Sequence, residues 1–473
     1  MDNRLSKFQS IFLHKIGFEP TEDQKRAAQF LEYFIFSATK VFILKGYAGT
    51  GKTTLMGALI KTLPAFYIRT ILLAPTGRAA KVLSLKSSKQ AFTIHKHIYY
   101  TEKQPDKFSF KLRDNKTKNA LFIVDESSMI GLGDKGFQSR NLLEDFFYFV
   151  KQGNNCKIIF IGDTAQLPPV GEDFSPALND DFIKFNFDLS VLSYQLTQVV
   201  RQALNSNILK NASNLRYRLY KQNYSLPIFK LNDKLDFKSI SAMDFEDHLR
   251  ECYSLFGVDN TIVITRSNKA ANILNNTIRY KVLDMEFKLD TSDNLMAVKN
   301  NYFWIDDKEA AGFIANGDIL KIKRVMGIEN KFEHNFADII AEFVDYQDLP
   351  PIEIKILLDT LDLDKASLDF QDESKLYWTI FNYYFSKHPN KAEAKKSTLN
   401  DQYFNAVQVK FANVLTCHKA QGGGWDAVFI FQNYFQEDML NRDYFRWLYT
   451  AVTRSQKRLY LVNFDEEFFV SRK

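Results

Sequence analysis

The sequence predicts an α/β protein of parallel sheets flanked by helices, because three stretches each run from an apolar strand into a glycine loop or a carboxylate. Residues 41–63 read VFILKGYAGTGKTTLMGALIKTL. Within them, 41–44 is a short β-branched and aromatic run, as in a buried strand, and 55–63 reads as a helix. Residues 120–129 read ALFIVDESSM: 121–124 is the continuous apolar run of a central parallel strand, and Asp125 stands at its carboxyl end. Residues 158–170, IIFIGDTAQLPPV, repeat the pattern, with Pro168 and Pro169 stiffening the loop after the strand.

The first loop matches G-x-x-x-x-G-K-[ST] from Gly46 to Thr53, in the strand–loop–helix context a phosphate loop requires. Gly46, Gly49 and Gly51 let the backbone N–H groups around Ala48, Thr50 and Thr54 converge on phosphate oxygens at a helix N-terminus. Lys52 would reach the β- and γ-phosphates of ATP. Thr53 and Asp125 would hold Mg2+, and Glu126 is placed to polarise an attacking water. The pairing of this loop with the downstream carboxylates makes nucleotide hydrolysis the leading reading.

A length of 473 residues implies about three domains. No apolar run approaches the ~20 residues that span a bilayer. The start, MDNRLSKFQSIFLHKIGFEP, has mixed charge and no signal-peptide core, so a cytoplasmic protein without membrane contact is expected. Cys156, Cys252 and Cys417 are too scattered for a zinc ribbon, and their odd number argues against a disulfide framework. A net charge of +6 permits nucleic-acid contact without requiring it.

Further motifs follow in order. FEPTEDQKRAAQF (18–30) looks like a Q motif, LLAPTGRAAKVL (72–83) like motif Ia, and TIHKHI (93–98) like the segment after it. DESSM is motif II, and G-D-x-x-Q-L-P-P-V within 158–170 is motif III. LTQVVRQ (196–202) looks like motif IV, TIVITRSNKAANILNNTIR (261–279) like the next block, and FIANGDIL (313–320) like the segment before an inserted domain. LTCHKAQGGGWD (415–426) is motif V and LYTAVTRSQKRLYLV (448–462) motif VI. The series resembles the superfamily 1 DNA helicases over nearly the whole chain. The TIH and TCHKAQG segments, with the short spacing from motif Ia to motif II, most resemble the 5′-to-3′ branch of RecD-like and Dda-like enzymes.

That resemblance implies two RecA-like P-loop domains with a small β-hairpin pin and an SH3-like barrel as insertions. The boundaries expected are 1–190 for the first RecA-like domain with its pin near 98–119, 191–324 and 406–473 for the second, and 325–405 for the barrel and a helical or mixed arm. Residues 203–260 are expected to be helical, then loop-like. ATP would lie between the two RecA-like domains. Gln24 would read adenine, Gln166 would sense the γ-phosphate, and Asp163 would brace the water or the Mg2+ shell. Arg201 and Arg454 would serve as arginine fingers, while Gln421 and Gly422 would face the nucleotide. Thr76, Arg78, Thr93, His95, Thr416 and His418 would hold single-stranded DNA, with Phe108 or Phe110 on the pin stacking at a single-strand/duplex junction. Tyr377, Trp378 and Phe381 read as core.

In TCHKAQGGGW (416–425), the adjacent Cys417 and His418 have no second Cys/His pair to complete a metal site. Cys417 reads as a small buried residue near the end of a strand over 411–417, and Gly423 and Gly424 depart from the family pattern. The function implied is ATP-driven 5′-to-3′ unwinding by a monomeric motor, open to protein partners in replication, recombination or repair. The alternative is a single-strand-translocating ATPase, or the motor subunit of a nuclease or recombination complex, without strong unwinding of its own.

Overall fold

The computed structural model describes residues 2–469 except 105–106, 134–140, 201–205, 232–235, 306–312, 345, 347–348 and 388, and only the backbone of 2–6, 101–104 and 107–110. Its first half is a six-stranded, wholly parallel sheet. The strands are β1 (Val41–Gly46), β2 (Arg69–Ala74), β3 (Ala91–Thr93), β6 (Ala120–Val124), β7 (Lys157–Gly162) and β8 (Val191–Leu196), in the order β3-β2-β6-β7-β1-β8. Phe42, Leu44, Leu121 and Ile159 pack on one face, Val41, Ile43, Phe122 and Phe160 on the other. Burial on both faces is why these strands read as continuous apolar runs. The three loop-bearing strands β6, β7 and β1 lie side by side, so their carboxyl ends share one edge of the sheet. Between β3 and β6 the chain forms the expected hairpin, β4 (Tyr99–Gln104) and β5 (Lys107–Leu112).

The second parallel sheet has β9 (Phe237–Ile240), β10 (Thr261–Thr265), β16 (Val414–Thr416), β17 (Trp425–Phe431) and β18 (Ser455–Val462), in the order β16-β10-β17-β18-β9. A closed barrel is formed by β11 (Asn294–Ala297), β12 (Ile319–Lys331), β13 (His334–Phe343), β14 (Ile352–Leu357) and β15 (Val407–Phe411). The two sheets and the barrel are the fold class expected.

The pairing moves several expected boundaries. β8 lies beyond residue 190 yet pairs with β1, so the first sheet runs to Leu196. The barrel opens at β11 and closes at β15, outside 325–405, because two short strands complete it. Residues 237–240, expected in a loop, pair with β18. The strand expected over 411–417 is two strands, β15 in the barrel and β16 in the sheet. The buried Asn275 amide holds this break, donating to the carbonyls of Phe411 (3.1 Å) and Val414 (3.0 Å) and accepting from Val414 N–H (2.9 Å). Cys417 and His418 therefore belong to the short helix Cys417–Ala420. The arm is helical, Phe370–Lys387 and Lys391–Leu399, and packs Leu376 and Ile380 on barrel Phe336. Trp378, read as core, is 56% exposed, because the arm buries the opposite side of its helix.

Candidate nucleotide cleft and nucleic-acid groove

The phosphate loop leaves β1 and enters the helix Lys52–Thr62, with Gly49 (φ +77°) and Gly51 (φ +83°) in the left-handed region that favours glycine. Gly46, Ala48, Thr50, Thr53 and Thr54 stand around this turn. Lys52 Nζ donates to the carbonyls of Gly46 (2.7 Å) and Tyr47 (3.0 Å). Val200 N–H donates to Gly49 O (3.0 Å), bringing motif IV against the loop, while Arg201 itself lies outside the described residues. Gln24 is buried behind the loop. Its amide accepts from Thr21 N–H (3.0 Å) and donates to Thr50 O (3.3 Å), so here it braces the loop and caps a helix rather than facing a base.

Asp125 and Glu126 follow β6. Burial and the Glu126 carboxylate push Asp125 up to about 6, against the pull of Lys52. Crowded carboxylates beside one lysine are a setting that an added cation would relieve. The Thr53 hydroxyl and the Asp125 carboxylate are the oxygen donors that Mg2+ prefers. After β7, burial raises Asp163, which Lys52 and the Tyr449 hydroxyl oppose. Gln166 is buried, and its Oε1 has no hydrogen-bond partner among the described residues.

The second sheet meets this edge through the helix Arg442–Val452. Thr450 Oγ1 accepts from Leu167 N–H (2.9 Å), and the Tyr449 hydroxyl bridges Ala48 and Asp163. Just beyond the helix, Arg454 is 5% exposed. Its guanidinium donates to Thr450 O (3.0 Å) and Gly423 O (3.1 Å), and it stands 3.9 Å from Glu126 Oε1. Lys52, Asp125, Glu126, Asp163 and Arg454 thus converge from two sheets.

A groove of about 460 Å³ runs along the same interface, lined by Thr76, Arg78, Thr93 and His95 from the first sheet and His418, Lys419 and Gln421 from the second. Thr76 and Thr93 are helix N-caps, accepting from Ala79 N–H (3.3 Å) and Lys96 N–H (3.2 Å), and Thr93 is buried. Burial brings His95 down to about 4 and lowers His418, so both are neutral near pH 7. Thr416 ends β16 and is not among the groove-lining residues, and the side chains of Phe108 and Phe110 lie outside the described residues.

Gln421, expected with Gly422 at the nucleotide, lines the groove and holds the motif III loop. Gln421 Nε2 donates to Leu167 O (2.8 Å) on the groove side, and a Cβ on Gly422 would meet Ala79 Cβ at 2.9 Å. The motif Ia helix Gly77–Ser87 fills the space beside Gly422. A Cβ on Gly423 would lie 2.4 Å from the Trp425 ring. That ring carries the Arg78 guanidinium 3.9 Å above its centroid. Trp425, Tyr449 and Thr450 were not singled out from the sequence; each lies in a motif, but its partner is remote along the chain.

Residues 20–218 match a family described as an AAA domain, and residues 411–462 match the UvrD-like helicase C-terminal domain. The chain is 26% identical to the ATP-dependent DNA helicase dda of Enterobacteria phage T4, over 93% of this chain and 99% of that protein. It is 31% identical to the ATP-dependent RecD2 DNA helicase of Deinococcus radiodurans, over 37% of this chain and 22% of that one. A solved structure of Bacteroides Pif1 bound to ssDNA aligns with 96% of this chain and 95% of that one, at 14% identity and a TM-score of 0.48. With its ordered motifs and two parallel sheets meeting at a phosphate loop, the chain belongs to the superfamily 1 helicases, in the branch of the RecD-like and Dda-like enzymes.

Proposed function

We propose that the chain is an ATP-dependent DNA helicase that moves 5′ to 3′ on a single strand and separates duplex ahead of it. One observation carries this reading. A single interface between the two sheets holds Arg454 against Glu126 on one side and gathers Thr76, Arg78, His95 and His418 along a groove on the other. The similarity to the dda and RecD2 DNA helicases supports ATP as the fuel and DNA as the track.

Lys52 and the loop amides hold the phosphates from the first sheet. Arg454 adds positive charge from the second, where charge develops in phosphoryl transfer, and Arg201 is assigned the same task. Glu126 orients the water, and Gln166, with its unpartnered Oε1, is available to report the γ-phosphate. Thr53 and Asp125 would hold Mg2+, which when bound supplies neutralising charge on the β- and γ-phosphates. The two-sided contacts exist together only when the sheets are closed, so ATP favours closure and hydrolysis releases it. Groove residues from both sheets then grip the strand alternately. The hairpin β4–β5 supports strand separation over translocation alone, as the duplex wedge. No helix among the described residues is long and apolar enough to cross a membrane.

The test is unwinding of duplexes bearing one 5′ or one 3′ single-stranded tail. The 5′-tailed substrate should open in the presence of ATP. Lys52→Ala should abolish turnover and unwinding while retaining single-strand binding. Preference for the 3′ tail would contradict the assigned direction, and turnover by the lysine variant would contradict the assigned phosphate site.

A further inference from the structure

Tyr449 is among the largest fully buried side chains of the described residues, yet its hydroxyl has two partners on other elements. It accepts from the N–H of Ala48 in the phosphate loop (3.1 Å) and donates to Asp163 Oδ2 after β7 (2.6 Å). The other Asp163 oxygen accepts from Ala165 N–H (2.9 Å), so the carboxylate is held on both sides. The next residue, Thr450, holds the same loop at Leu167. Burial raises the Tyr449 phenol well above its ordinary value, so it stays protonated and can donate at any working pH.

We infer that Tyr449 is a positioning residue of the ATP site: a strut from the second sheet that sets the phosphate loop and the Asp163 carboxylate relative to each other, so that hydrolysis requires the second sheet to be seated. Its place in the chain favours that role. The helix that carries Tyr449 leads directly into Arg454, so seating the strut and delivering the arginine are one rigid movement. The phenol hydroxyl is a single group bonded to two separate loops of the first sheet. Removing it leaves a buried N–H and a buried carboxylate each short of a partner, a loss large enough to show in turnover.

The inference rests on the reading of Gly46–Thr53 as an ATP site, and a double-mutant cycle separates the two. Steady-state, single-strand-stimulated ATP hydrolysis would be measured for the full chain, Tyr449→Phe, Asp163→Asn and the double variant. Tyr449→Phe should lower kcat about tenfold with KM for ATP changed less than about threefold. In the Asp163→Asn background the same change should cost less than about twofold, because residues that act through one another are not additive. Equal, multiplicative costs in both backgrounds would overturn the strut, as would a Tyr449→Phe enzyme with unchanged kcat. If Tyr449→Phe melts before the assay temperature, Asp163→Asn paired with Tyr449→His, a polar ring, gives the same cycle. Absence of turnover in the unsubstituted chain would instead fail the ATP-site reading.

Discussion

The two sides of the inter-sheet interface are built differently. In the nucleotide cleft, buried side chains of the second sheet reach directly into the first: Tyr449 to Ala48 and Asp163, Thr450 to Leu167, Arg454 to Glu126. In the groove, Thr76 and Thr93 already serve as helix caps, His95 is kept neutral by burial, and Arg78 lies on the Trp425 ring. Phosphoryl transfer needs charges fixed in place, so the cleft is specified bond by bond. A strand that must slide is better held by several modest contacts, none indispensable.

Substitutions should separate the two sides sharply. Arg454→Ala removes the buried charge that stands beside Glu126, and ATP turnover should fall roughly 10³-fold, an effect typical of an arginine finger. Stopped-flow phosphate release would check it, and a loss under tenfold would remove the cleft from the contrast. Gly423→Ala stands between the two sides. A Cβ there meets the Trp425 ring at 2.4 Å, and the Gly423 carbonyl holds Arg454, so single-strand stimulation of hydrolysis should drop about tenfold. Arg78→Ala loses a stacked cation of about 0.5–2 kcal/mol, so single-strand affinity by anisotropy should weaken severalfold with unstimulated hydrolysis little changed. Thr93→Val deletes a cap, costing about 1 kcal/mol of stability in a denaturant melt. Its DNA affinity should stay within about twofold, and a larger loss would give the hydroxyl a phosphate contact after all.

At pH 7 the smallest effect comes from His97. Burial first, then Arg113 and Arg69, bring it down to about 4, and the rings of Phe92, Phe122 and Phe149 surround it. The unfolded chain binds that proton near 6.5, so the folded state is favoured above 6.5 and loses this contribution as pH falls from 6.5 toward 4. His95 adds a decline of the same sign. His97→Phe should leave the melting temperature at pH 7.5 nearly unchanged and flatten its fall between pH 6.5 and 4.

What was legible in the sequence was local. The loop from Gly46 to Thr53, Asp125 with Glu126, and Arg454 announce themselves within a few residues, and the structure brings Lys52, Asp125, Glu126 and Arg454 together. What was hidden depends on partners far along the chain. Tyr449 meets Ala48 across 401 positions, and Asn275 splits the strand expected at 411–417 from 139 positions away. The barrel's opening strand was missed because Asn294–Ala297 is four residues long and pairs with β15, more than a hundred residues on. In TCHKAQGGGW, Gly423 and Gly424 read only as a departure from the family pattern. In the fold Gly422 and Gly423 are sites of close approach, against Ala79 and Trp425.

Whether the cleft and the groove are coupled is decided by single-strand affinity with and without a non-hydrolysable ATP analogue, in the unsubstituted chain and in Arg454→Ala. The analogue should change affinity at least about fivefold in the former, the lower end of ordinary coupling between sites. In Arg454→Ala that change should vanish, with the nucleotide-free affinity retained. An affinity indifferent to the analogue in the unsubstituted chain, or an equal response in both, would mean that Arg454 at Glu126 does not carry the nucleotide state to the strand.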